Sequence, residues 1–287
     1  MNVALIGTGR LGSSLARALP PSIFSIAALH DQDGAAARRC RRRIGRGRVV
    51  RTAAAAAAAG DVILLCVPDG AVAEVVAKLA EAPLRWKGKI VLHTSGALSS
   101  RELAPLKRAG AAVGSVHPAQ SFAGPETPPS RFRGVFFAVE GDPKAAAAGK
   151  RLARSVGGRP FAVKPVDKAL YHAACSLASN MLVPLFDSAC AVLESIGLGP
   201  REAARVLLPL VEGTVENLKS LDRSGSLTGP IARGDEETVR LHLQALCDRR
   251  KVDDVYRRLG ALALEMAEAK GLDPKKVKRL SRRLAGR

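Results

Sequence analysis

The chain has 287 residues, 47% of them hydrophobic, a length that predicts two domains able to close cores without disulfides or metal. Its five cysteines are scattered with no CxxC pair, which argues against a disulfide framework or a zinc site and for reduced thiols in the cytoplasm. The net charge of +19 invites nucleic acid, but only 3% of residues are aromatic, so base-stacking platforms are scarce and that reading stays the weaker one.

The arginine excess concentrates in two places. One is Arg38, Arg39, Arg41, Arg42, Arg43, Arg46, Arg48 and Arg51; the other is the tail Lys275, Lys276, Lys278, Arg279, Arg282, Arg283 and Arg287. Met1–Gly7 has no charged leader and reads as a strand rather than a signal peptide. No uncharged apolar run approaches the ~18–20 residues of a membrane helix. The longest, around 169–186, carries His172, Ser179 and Asn180, so no membrane association is expected.

In chain order, strands are predicted at Asn2–Ile6, Ile23–Leu29, Val49–Val50, Val62–Val67, Ile90–His93, Ala112–Val116, Val135–Val139 and Phe161–Val163. Helices are predicted between them, at Leu11–Leu19, Gly34–Arg43, Ala53–Ala59, Ala71–Glu81, Ser99–Ala109 and Pro143–Val156. The early strands are continuously apolar, as strands buried on both faces are. This β–α rhythm predicts a doubly wound parallel α/β sheet over residues 1–163. After Lys164-Pro165 the strand signals stop. Long helices are predicted at Asp167–Ile196, Pro200–Leu221, Asp235–Arg249 and Val252–Lys270, making residues 164–287 an all-α second domain for substrate and dimerisation.

Gly7-Thr8-Gly9-Arg10-Leu11-Gly12 fits GxGxxG between a first strand and a first helix, the context in which that pattern binds a dinucleotide. The first glycine permits the turn, the second lets a pyrophosphate approach the backbone, and the third lets helix and strand pack closely. Asp31 stands 19 residues beyond Gly12, where a carboxylate that reads the adenosine ribose belongs; it tilts the cofactor from NADP slightly towards NAD. Arg38 and Arg39 are the counter-argument, as candidate partners of a 2′-phosphate, and Asp31 is otherwise a plain turn residue. Val67, Pro68 and Asp69 end the fourth strand and are candidates to border the cofactor. Thr94 and Ser95 end the next strand, and His117 the one after. Each is either a group at the nicotinamide rim or a helix-capping residue.

The helix from Asp167 carries a polar stripe. At ~100° per residue, Lys168, His172, Ser176, Ser179 and Asn180 share a sector of about 120° on an otherwise apolar circumference, which predicts a buried helix lining a cleft. Reduction of a carbonyl or imine needs a proton beside the incoming hydride, and imidazole titrates near neutrality. His172 is therefore the candidate donor, Lys168 the alternative donor or carboxylate anchor, and Ser179 and Asn180 the groups that orient substrate. A structural stripe sealing a domain interface is the other reading. Pro184 should kink this helix near Asn180. In Leu227–Asp235, Asp235 reads as a helix cap, with Arg233 either idle or reaching an anion.

Taken together, these motifs resemble the two-domain proteins that join a Rossmann-like half to a helical domain of unknown function, similar in plan to ketopantoate reductase, pyrroline-5-carboxylate reductase and the β-hydroxyacid dehydrogenases. The resemblance rests on Gly7–Gly12, Val67-Pro68-Asp69, His93-Thr94-Ser95-Gly96, His117-Pro118, Tyr171-His172…Ser179-Asn180 and Leu227–Asp235. It implies a nicotinamide cofactor, a small anionic metabolite as substrate and a homodimer formed through the helical domain. A non-catalytic dinucleotide sensor on the same scaffold is the rival reading.

Overall fold

The computed structural model describes residues 1–286; Arg287, the last of the basic tail, lies outside the described residues. Eight strands form one sheet: β1 (Asn2–Ile6), β2 (Ser25–His30), β3 (Arg48–Val49), β4 (Val62–Leu65), β5 (Ile90–His93), β6 (Ala112–Pro118), β7 (Phe136–Gly141) and β8 (Arg159–Ala162). Their order is β3-β2-β1-β4-β5-β6-β7-β8. The first six are parallel and in the doubly wound order expected, whereas β7 runs antiparallel to β6.

The continuous apolar runs are explained by the sheet's two covered faces. Val3, Leu5, Val62 and Leu64 point into one core, and Ala4, Ile6, Ile63 and Leu65 into the other. The first face is covered by α1 (Arg10–Ala18), α2 (Gly34–Ile44) and α6 (Pro143–Ser155), which supply Leu15, Cys40 and Leu152. The second is covered by α3 (Ala53–Ala59), α4 (Asp69–Glu81) and α5 (Ala104–Arg108), which supply Ala56, Val76 and Leu106. Alanine suits α3 doubly. It is the best helix former, and its small side chain lets the helix lie close on the strands.

The chain divides into two compact units, Met1–Ser179 and Asn180–Arg287. Strand signals end at Val163, but α7 (Lys168–Ala178) belongs to the first unit, because Lys168 is fixed inside it by hydrogen bonds to residues of the sheet rim. The long helix expected over Asp167–Ile196 is two helices, α7 and α8 (Leu182–Glu194), separated by Ser179-Asn180-Met181. Pro184 offers no N–H to the carbonyl four residues earlier, so the kink becomes a break.

The buried helix expected here is also corrected. On α7 only Lys168 is buried, while Leu170 and Leu177 are 75% and 70% exposed. The polar side of the helix is the packed one. By length and composition alone, Pro165–Glu194, 30 residues whose most apolar 18 have a mean hydropathy of 1.4, is nonetheless long and apolar enough to cross a membrane. The expectation demanded an unbroken apolar run, whereas this stretch passes on average hydropathy while containing the break.

The second unit holds α8, α9 (Pro200–Ser220), α10 (Gly229–Arg233), α11 (Glu236–Leu246), α12 (Arg250–Ala269) and α13 (Pro274–Ala285). Its core is small: Ile231, Val239, Leu243, Leu264, Leu280 and Leu284, all from α10 to α13. Asp235 caps α11, its carboxylate accepting from Thr238 N at 3.0 Å and Thr238 Oγ1 at 2.7 Å.

Candidate functional site

The glycine turn follows β1 because its backbone admits little else. Gly7 has φ of 93°, and a Cβ there would lie 2.4 Å from the Cys66 carbonyl oxygen. A Cβ on Gly12 would lie 2.1 Å from the Gly7 oxygen, so α1 can pack against the turn only through glycine. Gly9 differs: a Cβ there would meet nothing within 4 Å. That open space faces the first turn of α1, whose leading N–H groups have no partner within the helix. Arg10 opens the helix in solvent, and Leu11 packs its side chain on the core.

Beside the turn lies a cleft of about 680 Å³, bounded by Gly7, Gly9, Asp31, Arg51, Val67 and Pro68. Pro68 precedes α4, and Asp69 opens that helix exposed to solvent. The residues present therefore fit a dinucleotide: open space at Gly9, helix-start N–H groups and a cleft where strand order reverses between β1 and β4.

Asp31 does not stand as a free ribose reader. Its Oδ2 accepts from Thr8 N at 2.6 Å and Thr8 Oγ1 at 2.8 Å, and its Oδ1 accepts from Asp33 N at 3.0 Å. The carboxylate ties the glycine turn to the end of β2, which removes the argument for leaning towards NAD. Of the arginines that argue the other way, Arg39 pairs with Asp33 at 3.0 Å, and neither Arg38 nor Arg39 lines the cleft.

Parallel register carries the rim onward. Ile6 lies opposite Leu65, Leu65 opposite His93, and His93 opposite Ser115. The polar ends of β5 and β6 therefore emerge on the glycine turn's side of the sheet. Thr94 and Ser95 are both buried. Ser95 Oγ accepts from Ala97 N and Leu98 N at 3.2 and 2.9 Å, closing the bend after β5, while the cap of the helical turn that follows is Ser99. The Ser95 carbonyl accepts from Lys168 Nζ at 2.7 Å, and that ammonium also reaches Ser115 Oγ at 3.0 Å.

Lys168 is 0% exposed. Burial pushes its ammonium down to about 8, opposed by the carboxylates of Glu140 and Asp69. Glu140, on β7 opposite Ser115, is itself buried and accepts from Ser100 N and Oγ, each at 2.7 Å. No sequence argument singled out Glu140; an acid directly following the apolar run Phe136–Val139 was the signal.

His117, His172 and Tyr171 meet at this rim. His117 Nδ1 lies 2.8 Å from Tyr171 Oη, and its ring meets that of His172 edge-on at 5.5 Å. Tyr171 lies outside the polar stripe predicted on α7, yet its hydroxyl is the one that meets His117. Gly96 makes the meeting possible, since a Cβ there would lie 2.3 Å from His172 Cδ2 and 2.8 Å from His117 Nε2. Burial, reinforced by the Lys168 cation, pushes His117 down to about 3 and the fully buried His93 down to about 4. Both are neutral imidazoles at physiological pH. Ser179 ends the first unit and Asn180 begins the second; both are exposed in the break after α7, so the five-residue stripe is not one continuous face.

Solved structures share this fold. A candidate NADP oxidoreductase from Bacteroides fragilis is 22% identical, with a TM-score of 0.75 over 92% of this chain and 98% of its own. A reductive aminase from Aspergillus terreus, solved with NADPH and ethyl levulinate, is 18% identical, with a TM-score of 0.68 over 97% and 98%. The Plasmodium falciparum pyrroline carboxylate reductase, solved with NADP bound, is 15% identical, with a TM-score of 0.59 over 98% of each chain. At such identities the likeness establishes the fold. No curated protein sequence matches the chain. Residues 1–118 match the family model of the Rossmann-like domain, and residues 135–263 match the domain of unknown function DUF2520, which begins ahead of β7 and so reaches into the first compact unit. The chain thus joins a Rossmann-like domain to a DUF2520 domain, the pairing its motifs resemble.

Proposed function

We infer that this protein is a nicotinamide-dependent oxidoreductase that reduces a small anionic oxo or imino compound, or oxidises the corresponding hydroxy or amino compound. One observation carries the reading: a half-buried His172 is wedged against Gly96 and His117 on the sheet rim that also bears the glycine turn. Two of the fold's solved neighbours, named for amine and pyrroline chemistry, were solved with NADPH or NADP, which supports the same reaction class.

Gly7, Gly9 and the first turn of α1 would hold the pyrophosphate, and the cleft beside Asp31 and Arg51 the adenosine. When bound, the dinucleotide supplies a hydride at C4 of its nicotinamide. The chain's own task is to deliver a proton to the substrate oxygen or nitrogen. His117, held at about 3, carries no spare proton at neutrality, which leaves the His172 imidazole as the donor. His117 and Tyr171 fix the orientation of that ring. Lys168, fully buried, acts as a positioning residue that clamps the Ser95-Gly96 segment.

A second copy of the chain is proposed to cover the apolar side chains that the second unit exposes, among them Leu208, Leu210 and Leu218 of α9. The five free cysteines suit a cytoplasmic protein.

The test is nicotinamide absorbance with NADPH or NADH against a panel of 2-oxo acids, cyclic imines and ketone–amine mixtures. Turnover is expected with at least one member of the panel. The His172→Ala variant should lose it while retaining dinucleotide affinity. Tight dinucleotide binding without turnover anywhere in the panel would favour a sensor instead.

A further inference from the structure

Of the eight arginines between Arg38 and Arg51, four have their guanidinium groups engaged away from the cleft. Arg39 pairs with Asp33 at 3.0 Å, and Arg43 pairs with Glu126. Arg41 donates to the Gly47 carbonyl at 3.0 Å, and Arg46 donates to the Ala16 carbonyl at 2.8 Å. Arg38, Arg42 and Arg48 do not border the cleft. Arg51 is the member that does, and it makes no ion pair among the described residues. The other cation on that border, Lys78, is matched by Glu74 at 2.6 Å.

The position of Arg51 follows from strand pairing. Leu29 of β2 lies opposite Val49 of β3, and Val50 N donates to the Leu29 carbonyl at 3.0 Å. His30 Nδ1 lies 3.3 Å from the Val50 carbonyl oxygen. The next residue on each strand is Asp31 on one side and Arg51 on the other, so both reach the end of the cleft where the second strand of a dinucleotide fold meets the adenosine ribose. Of these two, the carboxylate already accepts from Thr8 N, Thr8 Oγ1 and Asp33 N. The guanidinium is uncommitted and exposed, with the exposed Gln32 beside it on the same border.

We propose that Arg51 selects NADP over NAD by pairing with the 2′-phosphate of the adenosine ribose, while Asp31 is a positioning residue that holds the glycine turn. This rests on the dinucleotide reading above. A planar guanidinium suits a phosphate because it offers two parallel donors. Ordinarily a carboxylate at the end of β2 would repel that phosphate. Here its oxygens are turned into the protein's own N–H and hydroxyl donors, which lowers the repulsion.

The two roles separate by titration of the full-length protein, following the quenching of intrinsic fluorescence by NADPH and by NADH. The wild type is expected to bind NADPH more tightly. Arg51→Ala should weaken NADPH by about 10- to 100-fold, as for one charge-assisted pair, and leave NADH unchanged. Arg51→Lys should restore part of the loss. Asp31→Asn should weaken both dinucleotides by the same factor, because it loosens the turn they share. The proposal is overturned if the wild type prefers NADH, if Arg51→Ala weakens both equally or neither, or if Asp31→Asn strengthens NADPH selectively. Failure of the wild type to bind either dinucleotide would overturn the underlying reading as well, a result distinct from the others. Arg51 is exposed, so its variants should fold, and matching thermal melts check that they do.

Discussion

The sheet unit and the helical unit treat their apolar residues in opposite ways. Every residue of β4 and β5 is buried, and a helix covers each face of the sheet. In α9, 21 residues long, Ala203 is the single buried residue, and neither α8 nor α9 contributes to the core of α10 to α13. The first unit closes its core with its own chain. The second presents a helical hairpin on which Leu208, Leu210 and Leu218 stay exposed among the described residues. Sequence apolarity alone does not distinguish these cases, because a side chain meant for a partner reads like one meant for the core.

The contrast can be broken most forcefully at Gly12. Gly12→Val would push a side chain into the Gly7 carbonyl, and a loss of more than about 4 kcal/mol is expected from the overpacking. Circular dichroism melts would show it; a variant that melts like the wild type would mean that α1 does not depend on that close approach. The helical unit should be most sensitive at Asp253, which is buried and holds Arg257 Nε at 3.0 and 2.9 Å. Asp253→Ala removes the carboxylate partner of Arg257 Nε, leaving that guanidinium only its Nη1 bonds to carbonyls such as that of Arg283, and should cost about 3 kcal/mol. Hydrogen exchange should then accelerate in α12 and α13 and not in the sheet, and uniform acceleration would erase the division into two units.

Acid should act on the sheet unit first. His93 and His117 bind protons at about 4 and about 3 in the fold but near 6.5 when unfolded, so the unfolded chain takes up more protons below pH 6.5. Their stabilisation is complete above pH 6.5 and is lost as pH falls towards 4 and 3. At pH 5 each histidine should cost about 2 kcal/mol in denaturant titrations. His117→Asn should flatten that pH dependence, and an unchanged slope would remove His117 from it. The smallest effect on chain stability is expected from Leu210→Glu combined with Leu218→Glu, since both side chains are exposed. Light scattering should nonetheless show a halved mass, and an unchanged mass would mean that α9 does not carry the contact between copies.

Much of the sheet was legible because strands buried on both faces leave unbroken apolar runs, and glycines leave marks where only a hydrogen fits. β1 and β5 lie where Asn2–Ile6 and Ile90–His93 predict them. Side-chain commitments were not legible. Asp31 stands at the spacing of a ribose reader, yet which donors its oxygens meet depends on how the glycine turn folds back on it. Tyr171 looked apolar because a helical wheel records residue type and not what lies opposite, which here is His117. The wheel also placed the solvent side of α7 inside the protein, for the same reason that α9 misleads.

Gly9→Ala tests the central claim most directly. The added methyl group meets no atom within 4 Å, and Gly9, with φ of −68° and ψ of −158°, has the negative φ of ordinary extended backbone and not the left-handed conformation that favours glycine. The melting temperature should therefore stay at the wild-type value while affinity for both NADPH and NADH falls by about tenfold or more, because the methyl group occupies the space kept open for a pyrophosphate. Undiminished affinity in a fully folded Gly9→Ala protein would contradict the account.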